Sequence, residues 1–179
     1  MEELEQQYDL DIHWRSYELR PAGSPPIPPA YVAQIEQGRG IFKQRAQADY
    51  GVTINSGPFG FNSRPALILE KYAQANGQGR AYHHWVERAY WLEARDISRL
   101  DVLAEALKAV GLETPDLDTI FADPVYEQQV DQDIALGYQI GIQGVPATIF
   151  AGRYLVSGAQ PVDVFKQVIE RVIANQAAE

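Results

Sequence analysis

Residues 141–161 read Gly141-Ile-Gln-Gly-Val-Pro-Ala-Thr-Ile-Phe-Ala-Gly-Arg-Tyr-Leu-Val-Ser-Gly-Ala-Gln-Pro161. Before them, Val130, Ile134 and Tyr138 mark a helix that Gly141 stops. Ala147 to Ala151 has strand character, Gly152-Arg153 reads as a tight turn, and Tyr154 to Ser157 reads as the returning strand. Gly158 to Pro161 is a second turn. From Val162 to Ala174, Phe165, Val168, Ile169 and Val172 recur at helical spacing. The stretch is therefore a helix, a Gly-Val-Pro turn, a hairpin and a closing helix.

Upstream the texture differs. Residues 2–8 read as the tail of a helix. Residues 10–19 alternate, with Leu10, Ile12, Trp14 and Ser16 on one face and Asp11, His13, Arg15 and Tyr17 on the other, which predicts a strand. Arg20 to Pro29 is a proline-rich, extended connector. A helical block follows. Residues 30–50 form a helix weakened by Gly38 and Gly40, and 51–61 a glycine-rich aromatic loop. Asn62 or Ser63 caps a helix that Gly77 stops. Tyr82, Trp85, Ala89 and Leu92 share one stripe. Ser98 with Asp101 resembles a capping box ahead of Leu103, Ala106, Leu107 and Val110, and Thr114-Pro115 and Asp123-Pro124 both read as helix starts. The order of strand, helical block, hairpin and helix makes an α/β domain with a helical insertion.

Composition narrows the chemistry. The 179 residues carry 24 acidic against 15 basic side chains, a net charge of −9. That argues against a nucleic-acid backbone, which needs a basic face, and against an anionic membrane surface. No apolar run is long enough for a membrane span. The acidic start, Met1-Glu-Glu-Leu-Glu-Gln-Gln7, does not read as a signal peptide, so the cytoplasm is the expected location. There is no cysteine, which removes disulfides, thiolate catalysis and any dithiol couple from the chain as it stands.

The ordered set of Gly-Val-Pro turn, hairpin and Ser-Gly-Ala-Gln, with Trp14-Arg-Ser-Tyr-Glu-Leu-Arg-Pro21, Asn62-Ser63, Tyr90 and Ala94-Arg-Asp-Ile-Ser98, resembles the DsbA family. The nearest branch is FrnE-like, grouped with 2-hydroxychromene-2-carboxylate isomerases and kappa-class glutathione transferases. The resemblance implies a thioredoxin-like fold with a large helical insertion. Residues 1–29 and 141–179 are the expected core, incomplete, and 30–140 the insertion and connecting helices. In that family a first strand and its active-site motif, Cys-x-x-Cys or a serine, precede the position of Met1. The chain is thus expected to begin inside the first helix, with the first core strand missing. Residues 10–19 and 147–151 would then both lack a neighbour; either 10–19 pairs directly with 147–151 or two chains close the gap as a homodimer, and the homodimer is the expected repair.

The resemblance also implies site residues. Val145-Pro146 would be a cis bond whose flanking backbone faces an extended peptide or thiol substrate, with Gly144, Ala159, Gln160 and Asn62 as further substrate-binding positions. It implies an oxidoreductase family whose chemistry this chain lacks. A glutathione-dependent isomerase or transferase and a non-enzymatic peptide-binding protein stand as alternatives. No cofactor is expected outside the glutathione alternative. Ser157 to Gln160 reads either as amides able to hold a carboxylate or as a turn with a helix cap. His83 and His84 point about 100° apart on a helix and do not suit one metal ion. Tyr82, Trp85, Tyr90 and Trp91 read as core between insertion and sheet. Gly57-Pro-Phe-Gly-Phe61 is equally a substrate-lining loop or a packed connector. Ser16, Ser56 and Ser63 lack the His-Asp partner pattern of a nucleophile.

Overall fold

The computed structural model describes residues 1–21, 23–112 and 116–177, so the helix start expected at Thr114-Pro115 lies outside the described residues. In chain order the elements are α1 (Glu2–Glu5), α2 (Pro29–Tyr50), α3 (Arg64–Ala75), α4 (Gly79–Trp91), α5 (Leu100–Ala109), α6 (Leu117–Ala122), α7 (Pro124–Gln139), β1 (Ala147–Phe150), β2 (Tyr154–Ser157) and α8 (Val162–Gln176). They divide into two compact units, residues 1–19 with 133–179 and residues 20–132.

The first unit holds the hairpin. β1 and β2 pair antiparallel, Ala147 opposite Ser157 through Phe150 opposite Tyr154. Ala151 (φ 48°) and Gly152 (φ 66°) form the turn, closed by the Arg153 amide donating to the Phe150 carbonyl. The turn centre therefore falls one residue earlier than Gly152-Arg153. One face of the hairpin packs on α8. Phe150 meets Phe165, Arg171 lies over the Tyr154 ring, and Asn175 donates to the Tyr154 hydroxyl. Leu4 of α1 is buried, and Tyr8 donates to Glu170 on α8.

Residues 10–19 are not a strand. Among the described residues the sheet consists of β1 and β2 alone. The alternation is nevertheless realised as burial. Leu10, Ile12 and Trp14 are half-buried and Ser16 is buried, while Asp11, His13 and Arg15 are exposed. A period of two records which side of an extended segment is covered; it does not record whether a neighbour supplies ladder bonds. Here α7 supplies the fixing contacts instead. Asp133, only 6% exposed, accepts from the Ser16 amide at 2.9 Å and from the Arg15 guanidinium at 3.0 Å. One turn further on, the Tyr17 ring lies over Gly137, where a Cβ would sit 3.6 Å from it, and tilts against Tyr138.

The second unit has its own core. Ala66, Leu69 and Ala73 of α3, Tyr82 of α4, Leu103, Ala106 and Leu107 of α5 and Ile120 of α6 form one buried cluster. Tyr82 and Trp85 thus pack inside the helical unit rather than between insertion and sheet, and Trp91 is partly exposed, 38%, with its ring against Phe42. α2 forms as the spacing predicts, but of its side chains only Ala46 is buried. The expected capping box is absent. Asp96 accepts from both the amide and the hydroxyl of Ser98, while Asp101 pairs with Arg99, the residue that precedes α5. Asp123 does cap α7, accepting from the Val125 amide.

Replacing Asp133 leaves the Ser16 amide unpaired in a buried place, a cost of about 1–3 kcal/mol. Asp133→Ala should lower stability by about that amount in urea unfolding, and Arg15→Ala, whose side chain is mostly exposed, by under ~1 kcal/mol. Equal, small losses for both would show that the carboxylate does not hold residues 10–18.

Candidate functional site

α7 ends in a Schellman turn. The Gly141 amide (φ 78°) donates to Tyr138 and the Ile142 amide donates to Gly137. Only glycine enters that left-handed position freely. The chain then crosses Gly144 and reaches Val145-Pro146, whose peptide bond is cis. The Pro146 carbonyl accepts from the Gly158 amide at 2.8 Å, which extends the hairpin register by one pair. In an antiparallel pair, hydrogen-bonded and non-hydrogen-bonded positions alternate. With 146 and 158 bonded, 148 with 156 and 150 with 154 are bonded too. The N–H and C=O of Ala147 and Ile149 therefore point away from β2.

That outward side is open. Among the described residues β1 has no neighbour but β2, and no hydrogen bond reaches the backbone of Val145. Val145 is 48% exposed and Ile149 39%. Ile149 shares its face with Leu155, 46% exposed, opposite the face packed on α8. The result is a short apolar edge with free donors and acceptors and one uncovered flank.

Of the other expected positions, Gln160 and Asn62 make hydrogen bonds within the fold. Gln160 donates its side-chain amide to the Ser157 carbonyl, and the Gly158 amide is spent on Pro146. Ala159 and Gln160 are exposed, in the turn before α8. Asn62 belongs to the second unit, where its side chain accepts from the Arg64 amide at the start of α3. It is a cap, in the role that the sequence pattern also allowed. Gly57-Pro-Phe-Gly-Phe61 is a packed connector. The Gly57 amide donates to Tyr90, Phe61 tilts on the Tyr90 ring, and Arg39 lies over Phe59. A Cβ at Gly57 would run into the Arg95 carbonyl and come within 2.8 Å of the Tyr90 ring. Ser16 and Ser56 have buried hydroxyls without a partner, and no histidine bonds to either.

One polar cluster was not legible in sequence. His83 of α4 meets Glu70 of α3 at 2.9 Å and Glu87, one turn on, at 3.4 Å. His84 and Lys71 flank them on the same two helices. Burial alone would lower the His83 pKa, but the bonds and charges of Glu70 and Glu87 outweigh it and raise it from 6.5 to about 9. The bond to His83 holds the Glu87 carboxyl below its ordinary value. Glu70 lies 13 positions away on another helix, so no local pattern announces the pair. Among the described residues no group of three His, Cys, Asp or Glu side chains could hold a metal ion, and no helix is long and apolar enough to cross a membrane.

The raised His83 pKa favours folding fully below 6.5 and less as pH climbs through 9; the lowered Glu87 pKa favours it above the ordinary 4.5 and less as pH falls through the folded value. The cluster therefore stabilises most between 4.5 and 6.5. Between 6.5 and 9 the Tm should fall by about 2–4 °C more than in His83→Gln, a difference of ~1 kcal/mol once solvent screening is allowed for. Parallel pH profiles for the two proteins would contradict the pairing.

The comparisons with known proteins agree with this architecture. The family model described as a DSBA-like thioredoxin domain matches residues 1–170. YwbO of Bacillus subtilis (strain 168), itself uncharacterized, is 26% identical over 164 residues, covering 90% of this chain and 82% of its own. A solved structure of a 2-hydroxychromene-2-carboxylate isomerase superposes with a TM-score of 0.79 at 19% identity, over 99% of this chain and 88% of that one. SCO1869 of Streptomyces coelicolor, described as a probable DsbA oxidoreductase, gives 0.70 at 24% identity over 82% of this chain, and only 64% of that chain is covered. Both structural likenesses speak to fold. With its helical insertion, its two-stranded sheet and no cysteine for a dithiol couple, the chain belongs to the family of DSBA-like thioredoxin domains.

Proposed function

We propose that this protein is a redox-inactive member of its family that binds an extended polypeptide segment by strand addition along Val145, Ala147 and Ile149. The observation that carries this reading is the open outer edge of β1, whose backbone groups at 147 and 149 point away from β2. Extended peptides dock on such edges through main-chain hydrogen bonds, with alternate side chains giving selectivity. A peptide rather than glutathione is favoured because the Gly158 amide and the Gln160 side chain, candidates for holding a carboxylate, are already bonded, to the Pro146 and Ser157 carbonyls. In this reading Gly144, Val145 and Pro146 line the bound segment with Ala159 exposed nearby, while the side chains of Gln160 and Asn62 bond within the fold. The expected homodimer belongs to the same reading, since an edge that accepts a peptide also accepts a second chain.

Proline at 147 removes an N–H that points outward and leaves the ladder to β2 intact, because Ala147 and Ser157 are a non-bonded pair. Ala147→Pro should weaken binding of a fluorescein-labelled Thr-Val-Thr-Val-Thr-Val peptide by about three- to tenfold, the worth of one hydrogen bond, with little change in Tm. Thr148→Pro should instead cut into the β1–β2 ladder and lower the Tm. Anisotropy and thermal melts read both. Undiminished peptide binding by Ala147→Pro, or no binding by the parent chain, would refute the reading.

A further inference from the structure

The open edge restricts what can pair with it. A strand laid beside β1 would set its alternate side chains against two surfaces. One is the uncovered flank with Ile149 and Leu155. The other continues the face on which Phe150 and Val156 turn toward α8. Neither carries a charge and both are mainly apolar, so the added strand should carry no charge on either side. Residues 10–18 do not qualify, because Asp11, His13 and Arg15 occupy alternate positions. Residues 145–150, Val-Pro-Ala-Thr-Ile-Phe, do qualify.

We infer that the edge of β1 pairs with the same edge of a second copy, antiparallel about a two-fold axis at Ala147, and that this pairing closes the peptide-binding edge until a peptide displaces it. The inference rests on the strand-addition reading above and names a competitor for that site. In this register Ala147 faces Ala147 of the second copy, and Val145 faces its Ile149. The smallest side chain thus sits at the axis, with apolar pairs to either side. Pro146 does not interrupt the pairing, because the side of Pro146 that lacks an N–H faces Gly158 on β2. The contact also avoids like charges, although each chain carries −9. An interface of a few residues lies below the ~1,200 Å² of stable complexes. Association should therefore depend on concentration, and it should strengthen with added salt as the net repulsion is screened.

The absence of cysteine makes single-cysteine variants of the whole chain clean reporters. Facing residues in a bonded antiparallel pair have Cα atoms about 5.5 Å apart, within disulfide range. Two Ile149 residues in this register lie about 14 Å apart, out of range. Under mild oxidation Ala147→Cys should form a covalent dimer at least ~10-fold faster than Ile149→Cys. A mixture of Val145→Cys and Ile149→Cys chains should form the mixed dimer. The covalent Ala147→Cys dimer should fail to bind the labelled Thr-Val peptide, and its reduced form should bind it. Equal cross-linking rates at 147 and 149, a strict monomer by light scattering at all concentrations and salt, or normal peptide binding by the covalent dimer would each overturn the inference. Cross-linking at 147 with no peptide binding in the reduced form would uphold the self-pairing and remove the peptide reading instead.

Discussion

The Asp133 carboxylate is the constraint on which the first unit depends. Segment 10–18 has the side-chain alternation of a core strand and the burial that goes with it, yet it takes part in no ladder. An extended backbone without a neighbour must find partners for its buried amides elsewhere. Asp133 provides one, reaching from α7 to the Ser16 amide while its other oxygen holds Arg15. A charge-assisted bond is roughly twice as strong as a neutral one, and Asp133 makes two of them to this segment, to the Ser16 amide and to Arg15. Among the described residues β1 has a single strand neighbour, β2.

That arrangement separates two properties the thioredoxin fold usually combines. The Gly-Val-Pro turn, the hairpin and the closing helix are present and packed, with Phe150 on Phe165 and Tyr154 under Arg171. The dithiol is not. The hairpin presents a strand edge whose donors and acceptors at 147 and 149 face away from β2. Recognition of main chain needs no thiol, and a scaffold without redox chemistry can still present it. Fold and chemistry are independent here, as they are across many superfolds.

Much of this was legible in the sequence wherever the signal was local. Gly141 stops α7, Asp123 caps it, and the hairpin follows from glycines between β-branched runs. Legibility failed where the partner was remote. The period of residues 10–18 announced which side chains turn inward, but whether a strand or a carboxylate meets the Ser16 amide depends on a residue 117 positions away. Ser157 to Gln160 could be read as an anion site until the register placed Gly158 against Pro146. Ser98 and Asp101 matched a capping box, but Asp96, two residues before Ser98, bonds its amide and hydroxyl first. In each case a local pattern described what a group can do, and a non-local or competing neighbour decided what it does.

Amide hydrogen exchange read by NMR tests the central claim most directly, at a concentration where light scattering reports a monomer. The outward amides of Ala147 and Ile149 should exchange fast, while those of Thr148 and Phe150, bonded to β2, should be protected. The Ser16 amide should be protected as well, and should lose that protection in Asp133→Ala. Strong protection of Ala147 and Ile149 in the monomer would mean that β1 has a second neighbour, and would contradict the account of an open edge.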